Sequence, residues 1–135
     1  MGVLSYILWG TTMTTEEQRL MRKIGDILLG IGFSPHMDGY HYLRTGMKHC
    51  KNDPTLPKKL TQGFYVKVAQ DHNVSSQQVA RCIRSAIEAA WNKDSLAGLN
   101  DMFRVKVINK NDKPKNVELI ALLAEWLKFE FDDCA

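Results

Sequence analysis

A chain of 135 residues, 44% apolar and 24% charged, can bury one core without disulfides and is too short for several domains. Its net charge of +3 is too mild to establish a nucleic-acid partner, and no stretch approaches the roughly 20 apolar residues that span a bilayer. The three cysteines, Cys50, Cys82 and Cys134, are an odd set without CxxC spacing, as expected of reduced thiols in a cytosolic protein.

The opening MGVLSYILW is apolar but has neither the basic n-region nor the cleavage site of a signal peptide. Residues 1–13 are expected to be a flexible leader, with Met13 an alternative start, and residues 14–131 a single helical domain. Thr14 and Glu17 have capping-box spacing, and Leu20, Ile24, Ile27, Leu28 and Ile31 form the first apolar stripe. Gly30 and Gly32 end that helix, FSPHMDG turns the chain, and a second helix carries Tyr40, Leu43 and Met47 inward. Asn52, Asp53 and Pro54 break it. Thr55 and Pro57 open a third helix with Leu60, Phe64 and Val68 facing the core, and Gly63 inside it points to close packing or a kink.

After the turn-like DHNV comes the clearest segment, SSQQVARCIRSAIEAAW. Ser75 and Gln78 make a second capping box, and Val79, Ile83, Ala86, Ile87, Ala90 and Trp91 stagger along one helical face. Ser76, Gln77, Ala80, Arg81, Arg84 and Ser85 occupy the other face. Two amphipathic helices joined by a tight turn outline a helix-turn-helix at about residues 57–91, whose second helix offers polar and guanidinium groups to base edges. A short helix then ends near Met102, FRVKVI (Phe103 to Ile108) alternates like a short extended segment, and NKNDKPKN is a loop. The last helix is expected to turn Val117, Ile120, Ala121, Ala124 and Leu127 inward.

Charge follows the same geography. Between Arg44 and Trp91 eight cations face three acids, a net +5, whereas Glu125, Glu130, Asp132 and Asp133 make the tail acidic. A basic middle suits a DNA-facing surface, against the plainer alternative that these charges only solvate exposed faces. Arg81 is the first candidate for a base contact, because its guanidinium fork matches O6 and N7 of guanine. Arg84, one turn on, reads a base or holds a phosphate. Ser75 and Ser76 at the helix N-terminus, with Ser85, are candidates for the DNA backbone. Lys58, Lys59 and Lys67, on the preceding helix, would anchor phosphates without reading sequence.

His36, His41, His49 and Cys50 fit no zinc spacing and read as structural or exposed. Tyr40, Trp91 and Trp126 read as packing residues rather than stacking platforms, while Tyr42 and Tyr65 stay open between the two. GxSxG, HExxH, a phosphate-cradling glycine loop and a clear carboxylate pair are all missing, so neither catalysis nor a cofactor is expected.

The segment LLGIGFSPHMDGYHYLRTGM resembles the opening of the C-terminal DNA-binding domain of the stage-zero sporulation response regulator family. Ile31, Gly32, His36, Gly39, Tyr40, Tyr42, Leu43 and Arg44 carry its Ile-Gly, His and Gly-Tyr-x-Tyr-Leu-Arg pattern. The helix-turn-helix matches through Ala69, Asn73, Val79, Arg81, Ile83, Arg84, Ala86, Ile87, Glu88, Ala90 and Trp91, and the tail through Asn116, Glu118, Ile120 and Ala121. The likeness runs from about Ile27 to Lys128. It implies an all-α domain of about six helices that binds a short duplex box in promoters. It also implies self-association as tandem copies on DNA and contact with RNA polymerase sigma factor. Arg81 and Arg84 fall on that family's recognition-helix arginines, and the resemblance implies that Gln77 and Gln78, at the helix start, contact bases as well.

Three positions depart from the pattern: Ala80 replaces a common glutamate, Gln78 an arginine and Ser85 a histidine. The same box is therefore not assumed. No receiver-like acidic cluster or phosphoacceptor Asp precedes Thr14, so a stand-alone effector is expected. The expectation is an all-α, cytoplasmic, sequence-specific duplex-DNA regulator without a membrane or metal partner. The alternative is an interaction module that modulates a full-length sporulation regulator or polymerase, with weak DNA affinity of its own.

Overall fold

The computed structural model describes residues 14–131, so the leader expected over residues 1–13 and the end of the tail lie outside the described residues. Among the described residues there are six α-helices: α1 Thr15–Gly30, α2 Asp38–Asn52, α3 Tyr65–His72, α4 Ser76–Asn92, α5 Gly98–Phe103 and α6 Asn116–Phe131. None of these helices is long and apolar enough to cross a membrane.

The caps follow the sequence. Thr14 Oγ1 accepts the Glu17 N–H at 3.0 Å and starts α1. The helix ends where Gly32, at φ +100°, lets the Phe33 N–H reach back to the Leu28 carbonyl. Leu20, Ile24, Leu28 and Ile31 are buried as expected. Helix α2 is the central element, packed against α1, α3, α4 and α6. Its Tyr40, Leu43 and Met47 are buried, and so is Tyr42.

Two segments depart from the sequence expectation. The third helix is not continuous from Thr55. A 3-10 turn (Leu56–Lys58) and a π-helical turn (Leu60–Phe64) precede α3, with the backbone breaking at Lys59. The reason is local packing: Leu56, rather than Leu60, is buried, and a Cβ on Gly63 would stand 2.8 Å from Leu56 Cδ2. Phe103 to Ile108 forms no strand. Phe103 ends α5 and Arg104 is left-handed. The chain beyond is pinned by Asn100, whose Oδ1 accepts the N–H groups of Val107 and Ile108 at 2.8 Å each.

The last helix is rotated from its expected phase. Leu119, Ile120, Leu123 and Leu127 are buried, whereas Val117 is 46% exposed and Ala121 faces out. ELIALLAEWL is apolar nearly all round, so periodicity could not choose a face, and the bulkier leucines take the core.

Cys50 on α2 is buried, and that burial, with the Asp53 charge nearby, pushes its thiol from an ordinary 9.0 up to about 12. The unfolded chain ionises this thiol near 9, while the folded chain keeps its proton. Its contribution to stability is therefore fully present below pH 9 and is lost as pH rises toward 12. Alkylation at mildly alkaline pH should accordingly spare Cys50 in the folded protein and label it in urea.

Candidate nucleic-acid interface

Helices α3 and α4 are joined by Asn73, Val74 and Ser75. Asn73 takes the left-handed conformation (φ 56°, ψ 48°) that asparagine tolerates better than most side chains, and Val74 N–H returns to the Ala69 carbonyl at 3.0 Å. Ser75 Oγ then accepts the Gln78 N–H at 3.1 Å and starts α4 in a new direction. The helix-turn-helix is built by these two caps and by the apolar faces they bring together.

On α4, Val79, Ile83, Ala86, Ile87 and Ala90 are buried, and Trp91 is half-buried against the same core. At roughly 100° per residue, Arg81 points about 180° away from the mean direction of those side chains. Gln77, Arg84, Ser85 and Glu88 lie to either side of it, and all five are exposed. Ser75 is exposed at the helix start, while Ser76 and Ala80 are half-buried. Gln78 is half-buried, and its Nε2 donates to the Tyr42 hydroxyl at 3.2 Å.

The three lysines are exposed, but they do not share one helix. Lys67 lies on α3, and Lys58 and Lys59 on the 3-10 turn and the break that follows. Lys59 and Lys67 converge electrostatically on Asp53. Hydrogen bonds from the Thr55 hydroxyl (2.6 Å) and N–H (3.1 Å) hold that carboxyl below the usual range, and the two lysines lower it further.

The structure adds basic residues that the sequence reading passed over as loop. Arg84 borders a cleft of about 540 Å³ that Lys113, Lys115 and Asn116 also line. Lys113 Nζ lies 3.7 Å from Glu88 Oε1, which ties the loop to α4 and offsets the one acid on its outer strip. Asn116 Nδ2 donates to the Tyr65 hydroxyl at 3.0 Å and to the Ala80 carbonyl at 2.9 Å, joining the start of α6 to both helices of the motif. The available signal was Pro114 between two lysines, too common a pattern to place in space. Asn116→Ala should cost about 1–2 kcal/mol in urea unfolding, because it leaves the buried Tyr65 hydroxyl without this partner.

The histidines serve turns and helix contacts. His36 bonds Ser34, His41 meets the Pro35 carbonyl, and His49 and His72 link α2 to α3 through Asp71 and Thr45. Among the described residues no group of His, Cys, Asp and Glu is arranged to hold a metal ion. Tyr40, Tyr42 and Tyr65 are buried, which removes them as open stacking platforms.

A capped helix pair with an outward guanidinium strip beside a basic cleft is a surface suited to an anionic duplex. Comparison with known families agrees. The family model described as "Sporulation initiation factor Spo0A C terminal" matches residues 24–127, which run from within α1 through the whole helix-turn-helix to α6. The chain belongs to that family, the helical DNA-binding regulator domain of sporulation initiation factor Spo0A.

Proposed function

We propose that this chain is a sequence-specific reader of duplex DNA that regulates transcription from promoters in the cytoplasm. The observation that carries the reading is Arg81. It stands at the centre of the exposed strip of α4, opposite a fully packed face, with Gln77, Arg84 and Ser85 around it.

In this mechanism α4 enters the major groove and Arg81 grips O6 and N7 of a guanine. Gln77 and Gln78 meet bases at the helix start. Arg84 reaches a base, or a phosphate at the flank where Lys113 and Lys115 join it. Ser75, Ser76 and the first amides of α4 meet a phosphate at the positive end of the helix dipole, and Ser85 meets another. Lys58, Lys59 and Lys67 hold the backbone on the side of the α2–α3 connection. A second copy on a tandem site and RNA polymerase sigma factor are the protein partners that fit beside such a motif.

Ala80 favours a second reading. It puts a methyl where the family commonly has a base-reading acid, as in an interaction module that modulates a full-length regulator or polymerase. Selection from a random duplex pool at near-physiological salt, repeated at a second salt concentration, separates the two. Enrichment of one short motif supports the reader. Weak binding without a motif, collapsing steeply with salt, is phosphate attraction alone and sinks it.

A further inference from the structure

Gln78 is the one candidate base reader whose side chain is already held by the protein. Its Nε2 donates to the Tyr42 hydroxyl at 3.2 Å, across 36 positions of sequence. Tyr42 is a rigid partner. It is 5% exposed, and its ring stands edge-on to His72 at 4.9 Å. His72 is in turn bonded to Thr45 at 2.7 Å. The backbone of Gln78 is fixed as well, since its N–H is capped by Ser75.

We propose that Tyr42 is a specificity-positioning residue, a buried hydroxyl that sets the amide of Gln78 for reading a base. The proposal rests on the reading of α4 as a recognition helix. A free glutamine must freeze three side-chain torsions when it meets DNA, and it can present either end of its amide. The tether to Tyr42 uses one N–H and fixes the plane of the amide. The second N–H and the carbonyl oxygen remain as an ordered donor–acceptor pair, the set that adenine complements through N7 and its N6 amino group. Gln78 and Arg81 are three residues apart and therefore neighbours on the helix surface, so the base read by Gln78 adjoins the guanine gripped by Arg81.

Tyr42→Phe tests this with the ring and its packing kept. Duplex selection is run on the parent, Tyr42→Phe, Gln78→Ala and the double variant, with thermal unfolding of each. The expected result is a loss of preference at one motif position in Tyr42→Phe, on the order of five- to tenfold, next to an unchanged guanine. Gln78→Ala should lose the same position, and the double variant should lose no more than Gln78→Ala alone. Melting of Tyr42→Phe should stay within a few degrees of the parent.

A parent motif kept unchanged in Tyr42→Phe or in Gln78→Ala overturns the proposal. So does a uniform weakening at every position, which is what a merely structural tyrosine would give. A parent that selects no motif at all is a different failure: it removes the sequence-reading function itself, and the tether's purpose with it.

Discussion

Gly39→Ala should destabilise the fold by about 2 kcal/mol or more and weaken DNA binding with it. Gly39 stands in the first turn of α2, where that helix crosses α4. A Cβ there would lie 2.4 Å from the carbonyl oxygen of Cys82, 2.8 Å from Ala86 Cβ and 3.0 Å from the Cys82 carbonyl carbon. The oxygen belongs to the backbone of α4 and cannot rotate aside as a side chain could. The two helices must separate, and overpacking of this kind costs about 3 kcal/mol at the upper end of its usual range. Alanine recovers about 1 kcal/mol of helix propensity, which leaves a net loss.

Gly30→Ala is the control, because among the described residues nothing lies within 4 Å of its added Cβ. It should unfold in urea within a few tenths of a kcal/mol of the parent or slightly later. Equal midpoints for Gly39→Ala and the parent would mean that α2 and α4 can slide apart at little cost. The contact would then not be what sets the height of α4 above the core.

That contact also marks where sequence reading succeeds and where it stops. Gly39 was visible as part of a Gly-Tyr-x-Tyr-Leu-Arg pattern, but a single chain does not say which backbone a missing Cβ makes room for. The helix-turn-helix itself was legible, since its two signals are local: the Ser75 cap and a stagger of apolar residues strong enough to hold one face. Where the apolar residues run all round, as in α6, the same method found Ile120 and Leu127 but put Val117 and Ala121 inward in place of Leu119 and Leu123, because tertiary packing alone decides the face. Between Thr55 and Phe64, Pro57 and Gly63 were read as features of one helix. In the fold they permit a 3-10 turn and a π turn instead.

The candidate interface divides in the same way. Arg81, Arg84 and Gln77 were placed by helical phase, which needs no knowledge of the fold. The cleft beside Arg84 draws Lys113 and Lys115 from a loop some 30 residues further on, and the Tyr42–Gln78 bond joins two helices. Such long-range pairings carry no periodic signature. The lysines expected to form one phosphate anchor are likewise split by the break at Lys59, and Lys59 and Lys67 share Asp53.

Arg81→Ala should lower affinity for the selected motif on the order of tenfold to a hundredfold and leave stability near the parent's. The side chain is exposed on the face opposite the core, so its loss opens no cavity. The effect should be confined to specific binding, because a guanidinium forked onto guanine discriminates between bases rather than adding a phosphate contact. A salt titration makes the distinction. With Lys67→Ala, log affinity should fall less steeply with log salt, by about one unit of slope, and evenly across sequences. With Arg81→Ala the slope should barely move, while the gap between the motif and random duplex closes. Arg84→Ala should behave more like the lysine, because its cleft neighbours Lys113 and Lys115 place it where a strand would pass. If Arg81→Ala instead changes the slope and keeps the motif, α4 lies along the backbone and its outer strip is an electrostatic rail. If Arg84→Ala is the variant that loses the motif, the helix enters the groove rolled toward α6, and the base-reading edge runs along the cleft.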